Sequence, residues 1–199
     1  VWMDHGYWPV LTIWQYIQQT GDIEILLRVA PFFQDGLGMR GTQRNAIQAD
    51  RSCTGTVAEH MLLEQLTAFC EAGEHGLLRL RDADWNDALD MAPQRGESGA
   101  FTSAYAGSME LLAKMLETLR QTGKCSSIDL PKRFEILLGE EDNWASIASR
   151  REKLNRFCAQ CIQIPDDDRI QIPLDKIVRH LDLCADTLKA IIREKAWIQ

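Results

Sequence analysis

Apolar side chains recur along most of this chain every three or four residues, which is the spacing of an amphipathic α-helix. The first stripe consists of Val10, Ile13, Trp14 and Ile17. It predicts a helix from about residue 7 to Thr20, where Gly21 supplies a left-handed C-cap. Asp22 can cap a second helix over residues 23–33, and so short a connection predicts an αα-hairpin.

Later stripes predict the remaining helices. In chain order these are a helix from the capping box at Thr56–Glu59 to Gly73, a helix over 101–122, a short helix over 129–139, a helix over 143–162 and a last helix opened by Pro173. Their inward faces carry Leu62, Leu66, Phe69, Met109, Leu112, Leu116, Leu119, Trp144, Ile147, Leu154, Phe157, Ile177, Leu181, Cys184, Leu188 and Ile191. No segment shows sustained strand alternation, and residues 34–53 and 163–172 are predicted loops. We therefore expect a single all-α domain over 1–199 with about seven helices.

Composition narrows the class of protein. The chain has 199 residues, 45% of them apolar, and a net charge of −7. That charge argues against nucleic acid or an anionic membrane surface as partner, and no apolar run reaches the roughly 20 residues that span a bilayer. The six cysteines are irregularly spaced, which is typical of free thiols in a reducing compartment, so we expect a cytoplasmic protein.

The cysteines give little sign of a metal or redox site. Cys158 and Cys161 form a CxxC, but no second CxxC and no histidine pair with zinc spacing accompanies it. Cys70 and Cys184 fall within apolar helical stripes. We expect all of these cysteines to be structural, and we expect no metal and no cofactor.

The densest chemistry lies in Asp84-Trp85-Asn86-Asp87-Ala88-Leu89-Asp90-Met91, which follows a glycine-containing break at 71–76. An isolated carboxylate is costly to bury, and a solvated loop seldom carries an indole. Carboxylates beside an aromatic platform are typical of a sugar pocket. An indole that desolvates a carboxylate can raise its pKa enough for general acid catalysis near neutral pH.

Several motifs in fixed order resemble glycoside hydrolase family 94, which includes cellobiose, chitobiose and β-1,2-glucan phosphorylases. Asp84–Asp87 is similar to the family's DWND motif. Four further segments also resemble the family, at Asp4–Asp22, Glu59-His60, Glu74–Leu77 and Lys195–Trp197. Around DWND the chain differs, since Asp82-Ala83 stands where a glycine is usual and Ala88-Leu89-Asp90 replaces Gly-Met-Asn.

The resemblance implies part of an (α/α)6 barrel of six helical hairpins. It implies that Asp87 is the general acid of an inverting phosphorylase and that Trp85, Asn86, Asp84, Asp4 and His5 bind substrate. Inorganic phosphate, as co-substrate, would attack the anomeric carbon directly, so no second carboxylate is needed as base. In the family, the Arg and Asp that hold the non-reducing sugar precede the segment matching Val1, and the phosphate-binding His and Thr/Ser follow the segment matching Gln199.

Two other functions stay open. An inverting glycosidase on the same fold would need a second carboxylate about 6.5–9.5 Å away to activate water. A helical scaffold or sugar-binding module would need no catalytic acid. The ends of the chain also look truncated, so we expect the middle portion of a larger catalytic domain, weak or inactive alone. Apolar faces left by missing hairpins would drive homodimerisation or a closed, rearranged bundle.

Individual residues also have ordinary structural interpretations. Asp84 and Asn86 are common turn and cap residues. We expect Asp90 and Glu97 to be solvated or structural, and His180 to be a surface or core histidine. His60 can face either way. Arg40 and Arg44, in the predicted loop over 34–53, can reach an anionic ligand, although solvation is the commoner case for an arginine in a loop.

Overall fold

The computed structural model describes residues 5–33, 49–80, 92, 95–163 and 168–195. This part of the chain is mostly helical, as the apolar stripes predict. It contains six α-helices, namely α1 (Tyr7–Thr20), α2 (Val57–Cys70), α3 (Gly99–Gln121), α4 (Phe134–Leu137), α5 (Ile147–Gln163) and α6 (Leu174–Lys195). A 3₁₀ helix covers Ile23–Leu27.

Strands, which the sequence did not predict, lie between the helices in chain order. They form three antiparallel pairs, namely β1 (Val29–Phe33) with β2 (Ala49–Thr56), β3 (Leu78–Arg79) with β4 (Glu97–Ser98), and β5 (Ser127–Pro131) with β6 (Arg169–Pro173). The expectation of an all-α chain is therefore too strict. Polar and apolar residues do alternate in β5 and β6, but over only four residues before each proline, and their pairing depends on a partner far away in sequence.

The predicted helix over 23–33 is wrong beyond Leu27. Pro31 has no backbone N–H and disfavours helical geometry at Ala30, so the chain turns into β1. Asp22 does not cap the 3₁₀ helix through its side chain. Its carboxylate instead accepts hydrogen bonds from the Tyr16 hydroxyl at 3.0 Å and from Arg28 at 2.7 Å. The αα-hairpin is thus replaced by a helix, a 3₁₀ turn and a strand.

Three predicted helices are confirmed with small changes at their ends. Gly21 (φ 71°) ends α1 and Gly123 (φ 73°) follows α3, both in the left-handed region that favours glycine. The Thr56 hydroxyl accepts from the Glu59 N–H at 3.1 Å, which is half of the predicted capping box. The helix α2 ends at Cys70, three residues before the predicted stop at Gly73.

The region after α3 differs most from prediction. The short helix predicted over 129–139 is a strand followed by the single turn α4, and the loop predicted over 163–172 includes β6. Trp144 lies in the turn before α5 rather than inside it, and its indole is half-buried. Phe157 is buried as predicted, with its ring edge-to-face on Phe134 at 5.9 Å.

The core lies around α3, which packs on α1, α2 and α6. The predicted inward positions on α2, α3 and α6 are buried, apart from the partly exposed Ile191. Within the described ranges, the large apolar side chains that are exposed are Trp8 and Val29. None of the described helices is both long and apolar enough to span a membrane.

Candidate functional site

The acidic motif falls in a part of the chain that the structure does not describe. Asp84, Trp85, Asn86 and Asp87 lie outside the described residues, and so does Asp4. His5 is described and exposed, in the turn that precedes α1. The site can therefore be built from the residues that flank the motif on both sides.

The strands β3 and β4 join the two sides of the motif. Leu78 pairs with Ser98 and Arg79 with Glu97, and the N–H of Leu80 donates to the carbonyl of Gly96 at 2.9 Å. The last described residue before the motif is thus held against the segment that follows it. We call residues 71–80 together with 95–98 the root of the motif.

A threonine at the start of α3 fastens this root to the core. Thr102 is fully buried, and its hydroxyl accepts from the Leu78 N–H at 2.9 Å and donates to the Ser98 carbonyl at 2.5 Å. The Ser98 hydroxyl in turn accepts from the Phe101 N–H at 3.1 Å, which caps α3. One helix start therefore holds both strands.

Glu97 bridges the root across the strand pair. Its carboxylate accepts from the N–H of His75 at 3.1 Å and contacts the His75 Nδ1 at 3.0 Å, while only 8% of the side chain is exposed. Gly73 makes this possible, because a Cβ there would lie 2.0 Å from the Glu97 Cδ. Glu97 is predicted to be solvated or structural, and these contacts make it structural.

The other carboxylates of the root are also paired. Arg95 donates through two nitrogens to Glu74, at 2.8 and 2.7 Å, and the hydrogen bond from Arg95 lowers the pKa of that carboxyl. Arg79 lies 3.6 Å from Glu71. Since Glu71, Glu74 and Glu97 each have a partner, we assign them to holding the root rather than to proton donation.

Basic side chains of α5 reach the same root from far along the sequence. Arg150 donates to the carbonyls of Phe69 at 2.7 Å and Gly76 at 2.9 Å, and Arg151 donates to the carbonyl of Ala72 at 2.8 Å. Sequence reasoning missed both arginines. Nothing in the pattern of α5 distinguishes an arginine that turns inward from one that faces solvent.

The start of α2 carries another buried charged side chain besides Arg150, namely Glu59. Glu59 is 1% exposed and accepts from Arg169 at 2.7 Å, and Arg169 also donates to Asp129 at 2.8 Å. The neighbouring His60 ring stacks on Phe32 at 3.8 Å and lies 3.2 Å from the Ala30 carbonyl. The Glu59-His60 pair that resembles the family thus joins three strands to α2.

The remaining predicted residues have structural surroundings. His180 is 1% exposed, with its Nδ1 3.1 Å from Glu140, so it is a core histidine. Cys70 and Cys184 are buried free thiols. Among the described residues no group of three or more histidine, cysteine, aspartate or glutamate side chains is arranged to hold a metal ion. Arg40 and Arg44 lie outside the described ranges.

Comparison with known proteins gives two relatives, both from Paenibacillus borealis. The chain is 28% identical over 132 residues to a 3-O-beta-D-glucopyranosyl-beta-D-glucuronide phosphorylase, covering 65% of this chain and 15% of the relative. It is 30% identical over 90 residues to a solabiose phosphorylase, covering 45% of this chain and 10% of the relative. The chain therefore spans a small part of the length of either relative.

The model of one protein family matches more than half of the chain. That family is described as the glycosyl hydrolase 94 superfamily, catalytic domain, and the match covers residues 1–124. The matched range contains α1, α2, the root, the acidic motif and α3. The chain is therefore a member of the glycosyl hydrolase 94 superfamily and carries part of its catalytic domain.

Proposed function

We propose that this chain is the middle part of an (α/α)6 barrel in a β-glucoside phosphorylase. Two findings support it: the family match over residues 1–124, and the fact that both relatives are phosphorylases. The order of elements is compatible with it, because a strand pair lies between α1 and α2 and another between α2 and α3, while β5 and β6 enclose α4 and α5 between α3 and α6.

In this proposal Asp87 is the general acid. Its carboxylic proton passes to the glycosidic oxygen as the bond from that oxygen to the anomeric carbon breaks. An oxygen of inorganic phosphate bonds to the same carbon from the opposite face, so that the products are a sugar 1-phosphate of inverted configuration and the shortened sugar. Trp85, Asn86, Asp84, Asp4 and His5 would hold the sugar. The reaction is balanced without a metal or an organic cofactor.

The observation that carries the assignment is the position of the motif. It lies between α2 and α3, within the range that the family model matches, and both of its sides start from the β3–β4 pair. The carboxylates of that root are paired to cations or N–H groups, which leaves the aspartates of the motif as candidates for proton transfer. A fixed root also favours catalysis, because an acid must be held within hydrogen-bonding reach of its target.

The experiment measures release of sugar 1-phosphate from β-linked glucosyl disaccharides, with and without phosphate. It uses the 199-residue chain and the protein encoded by the whole gene that contains it. We expect phosphate-dependent release by the whole protein, a loss of at least a hundredfold in Asp87→Asn, and little or no release by the 199-residue chain. The matched control is Asp90→Asn, which removes a neighbouring carboxylate without removing the proposed acid.

Two outcomes would contradict the proposal. Release of free sugar that needs no phosphate would indicate an inverting glycosidase, with a second carboxylate activating water. Sugar binding that survives Asp87→Ala, without turnover under any condition, would indicate a binding module. Turnover by the isolated 199-residue chain that is lost in Asp87→Asn would keep the chemistry and overturn the expectation that the chain alone is inactive.

We also propose a cytoplasmic location and homodimerisation through exposed apolar surface. The free thiols Cys70 and Cys184 support the cytoplasmic location.

For homodimerisation, the described residues offer only the exposed side chains of Trp8 and Val29 as large apolar contacts. Sedimentation velocity tests it: a species of twice the chain mass would support the dimer, and a compact monomer at micromolar concentration would contradict it.

A further inference from the structure

Arg150 is the largest side chain that is fully buried among the described residues. It lies in the first turn of α5, where its guanidinium packs 4.4 Å from the centre of the Phe69 ring. Both of its hydrogen bonds go to backbone carbonyls, those of Phe69 and Gly76. A buried cation whose side chain donates only to backbone carbonyls needs an explanation. Burial of a charge is unfavourable, and an apolar side chain of similar volume would lose less free energy of solvation there.

The two carbonyls lie on either side of one turn. Phe69 belongs to the last turn of α2, where carbonyls lack helical partners, and Gly76 comes just before β3. A planar guanidinium is rigid, so Nε and Nη1, which donate from different edges of the group, set the relative positions of these two acceptors. Arg150 therefore fixes the path of residues 70–76, which lead from the end of α2 through the first part of the root.

Neighbouring contacts support the same turn. Arg151 donates to the carbonyl of Ala72 at 2.8 Å, beside the bridge that Ala72 forms with Leu78. Gly76 has φ 86°, and a Cβ there would meet Ile191 at 3.3 Å and Ile147 at 3.7 Å. The turn is thus enclosed by the first residues of α5 and the end of α6.

These contacts come from the part of the chain that the family model does not match, which begins after residue 124. Burial lowers the pKa of the Arg150 guanidinium to about 10, so the group remains charged at neutral pH and keeps all of its donors. We propose that Arg150 is a positioning residue, which holds the root of the acidic motif in the place that the motif's chemistry requires. The root itself is observed, and its catalytic relevance rests on the proposed function.

Hydrogen exchange at the root tests the proposal. The N–H groups of Gly73, Arg79 and Leu80 donate to the carbonyls of Leu77, Glu71 and Gly96, which gives three local probes. In Arg150→Met and in Arg150→Lys we expect these amides to exchange at least tenfold faster, while amides in the middle of α3 change less than threefold. Lysine is expected not to restore the slow exchange of these amides, because an ammonium keeps the charge but lacks the planar, rigid set of donors.

The matched control is Phe157→Leu on the same helix. Phe157 is 3% exposed and packs on Phe134, so its truncation weakens α5 without touching the root. We expect faster exchange around α4 and α5 and little change at the three probes. If Arg150→Met and Arg150→Lys leave those probes within twofold of the wild type, the proposal is wrong. It is equally wrong if Arg150→Lys fails to fold, since Arg150 would then support the whole core.

The ¹⁹F NMR signal of Trp85 tests whether a change at the root alters the surroundings of the acidic motif. The chain is labelled with 5-fluorotryptophan, and Trp85→Phe identifies the ¹⁹F signal of Trp85. We expect that signal to move by more than its linewidth in Arg150→Lys and to stay in place in Phe157→Leu. An unmoved signal in both Arg150 variants would overturn the positioning role. Neither measurement requires turnover, so the phosphorolysis assay can fail on its own and leave this result standing.

Discussion

The carboxylate of Glu97 receives the backbone N–H of His75 at 3.1 Å, although the two residues are 22 positions apart in the sequence. The contact joins the two parts of the root, one of which precedes the acidic motif in the sequence while the other follows it. It depends on a glycine, because the space that a Cβ would take at position 73 is filled by the Glu97 side chain.

Gly73→Ala is therefore expected to displace Glu97 and destabilise the chain by about 1–3 kcal/mol, the usual cost of forcing extra volume into a packed site. Urea unfolding measures the change. Gly107→Ala is the matched control, since nothing lies within 4 Å of the Cβ it would add in the middle of α3. There alanine should stabilise by about 0.5–1 kcal/mol through its helix propensity. Equal effects of the two variants would contradict the packing argument.

Arg169→Met is expected to lower the free energy of unfolding by about 2–4 kcal/mol, because it removes the guanidinium that pairs with the buried Glu59 carboxylate. The expected cost is below that of a fully buried pair, since 27% of the Arg169 side chain reaches solvent. A double-mutant cycle with Glu59→Gln, followed by urea unfolding, isolates the pair. Lys132→Met breaks the exposed pair with Asp168 at the end of the same strand pair, and we expect it to lower the free energy of unfolding by less than about 0.5 kcal/mol. A coupling energy near zero for Glu59 and Arg169 would refute this account.

His180 predicts a pH dependence of stability. Burial lowers the pKa of the imidazole below its usual 6.5, with partial compensation from Glu140, so the folded state favours the neutral ring. The unfolded chain binds a proton first, and stability is lost as pH falls from about 6.5 toward the folded pKa. Below about 4.5 Glu140 adds to the loss. Burial opposes its ionisation, but hydrogen bonds from His180 and Arg179 keep its pKa lowered overall.

His180→Phe should therefore flatten the unfolding free energy between pH 7 and pH 5, as measured by urea titration at several pH values. The groups that face His180 are Glu140, which also pairs with Arg179, the Trp144 ring at 5.1 Å and the charge of Lys153 on α5. An unchanged slope in the variant would assign the pH dependence to those groups instead.

The buried thiols should resist alkylation. Burial raises the pKa of Cys70 to about 12 and raises that of Cys184 well above its usual 9.0. Because the thiolate is the reactive form, iodoacetamide at pH 8 should modify the exposed Cys158 before it modifies Cys70 and Cys184. Peptide mass spectrometry follows each site, and urea should release the other two together. Modification of Cys184 at the rate of Cys158 in the folded chain would contradict the buried assignment.

Helix positions could largely be predicted from sequence, because burial of one face imposes a period of 3.6 residues that is visible locally. The stripes of α2, α3 and α6 locate their buried residues, and Gly21 and Gly123 mark where helices end. The two-residue strands β3 and β4 could not be predicted from a local period, because they are too short to show one. Leu78 and Arg79 form a strand only because Ser98 and Glu97 lie beside them.

The amino-acid sequence by itself determined the helical class, the family and the motif at 84–91, since periodicity and motif order are properties of the chain alone. Only the tertiary structure decided which charges turn inward. Arg150 and Arg151 are neighbours in the sequence, and only the first is fully buried. Their roles depend on carbonyls that lie 74 to 81 residues earlier, at Phe69, Ala72 and Gly76. A buried charge needs partners at hydrogen-bond distance, and long-range folding alone supplies them.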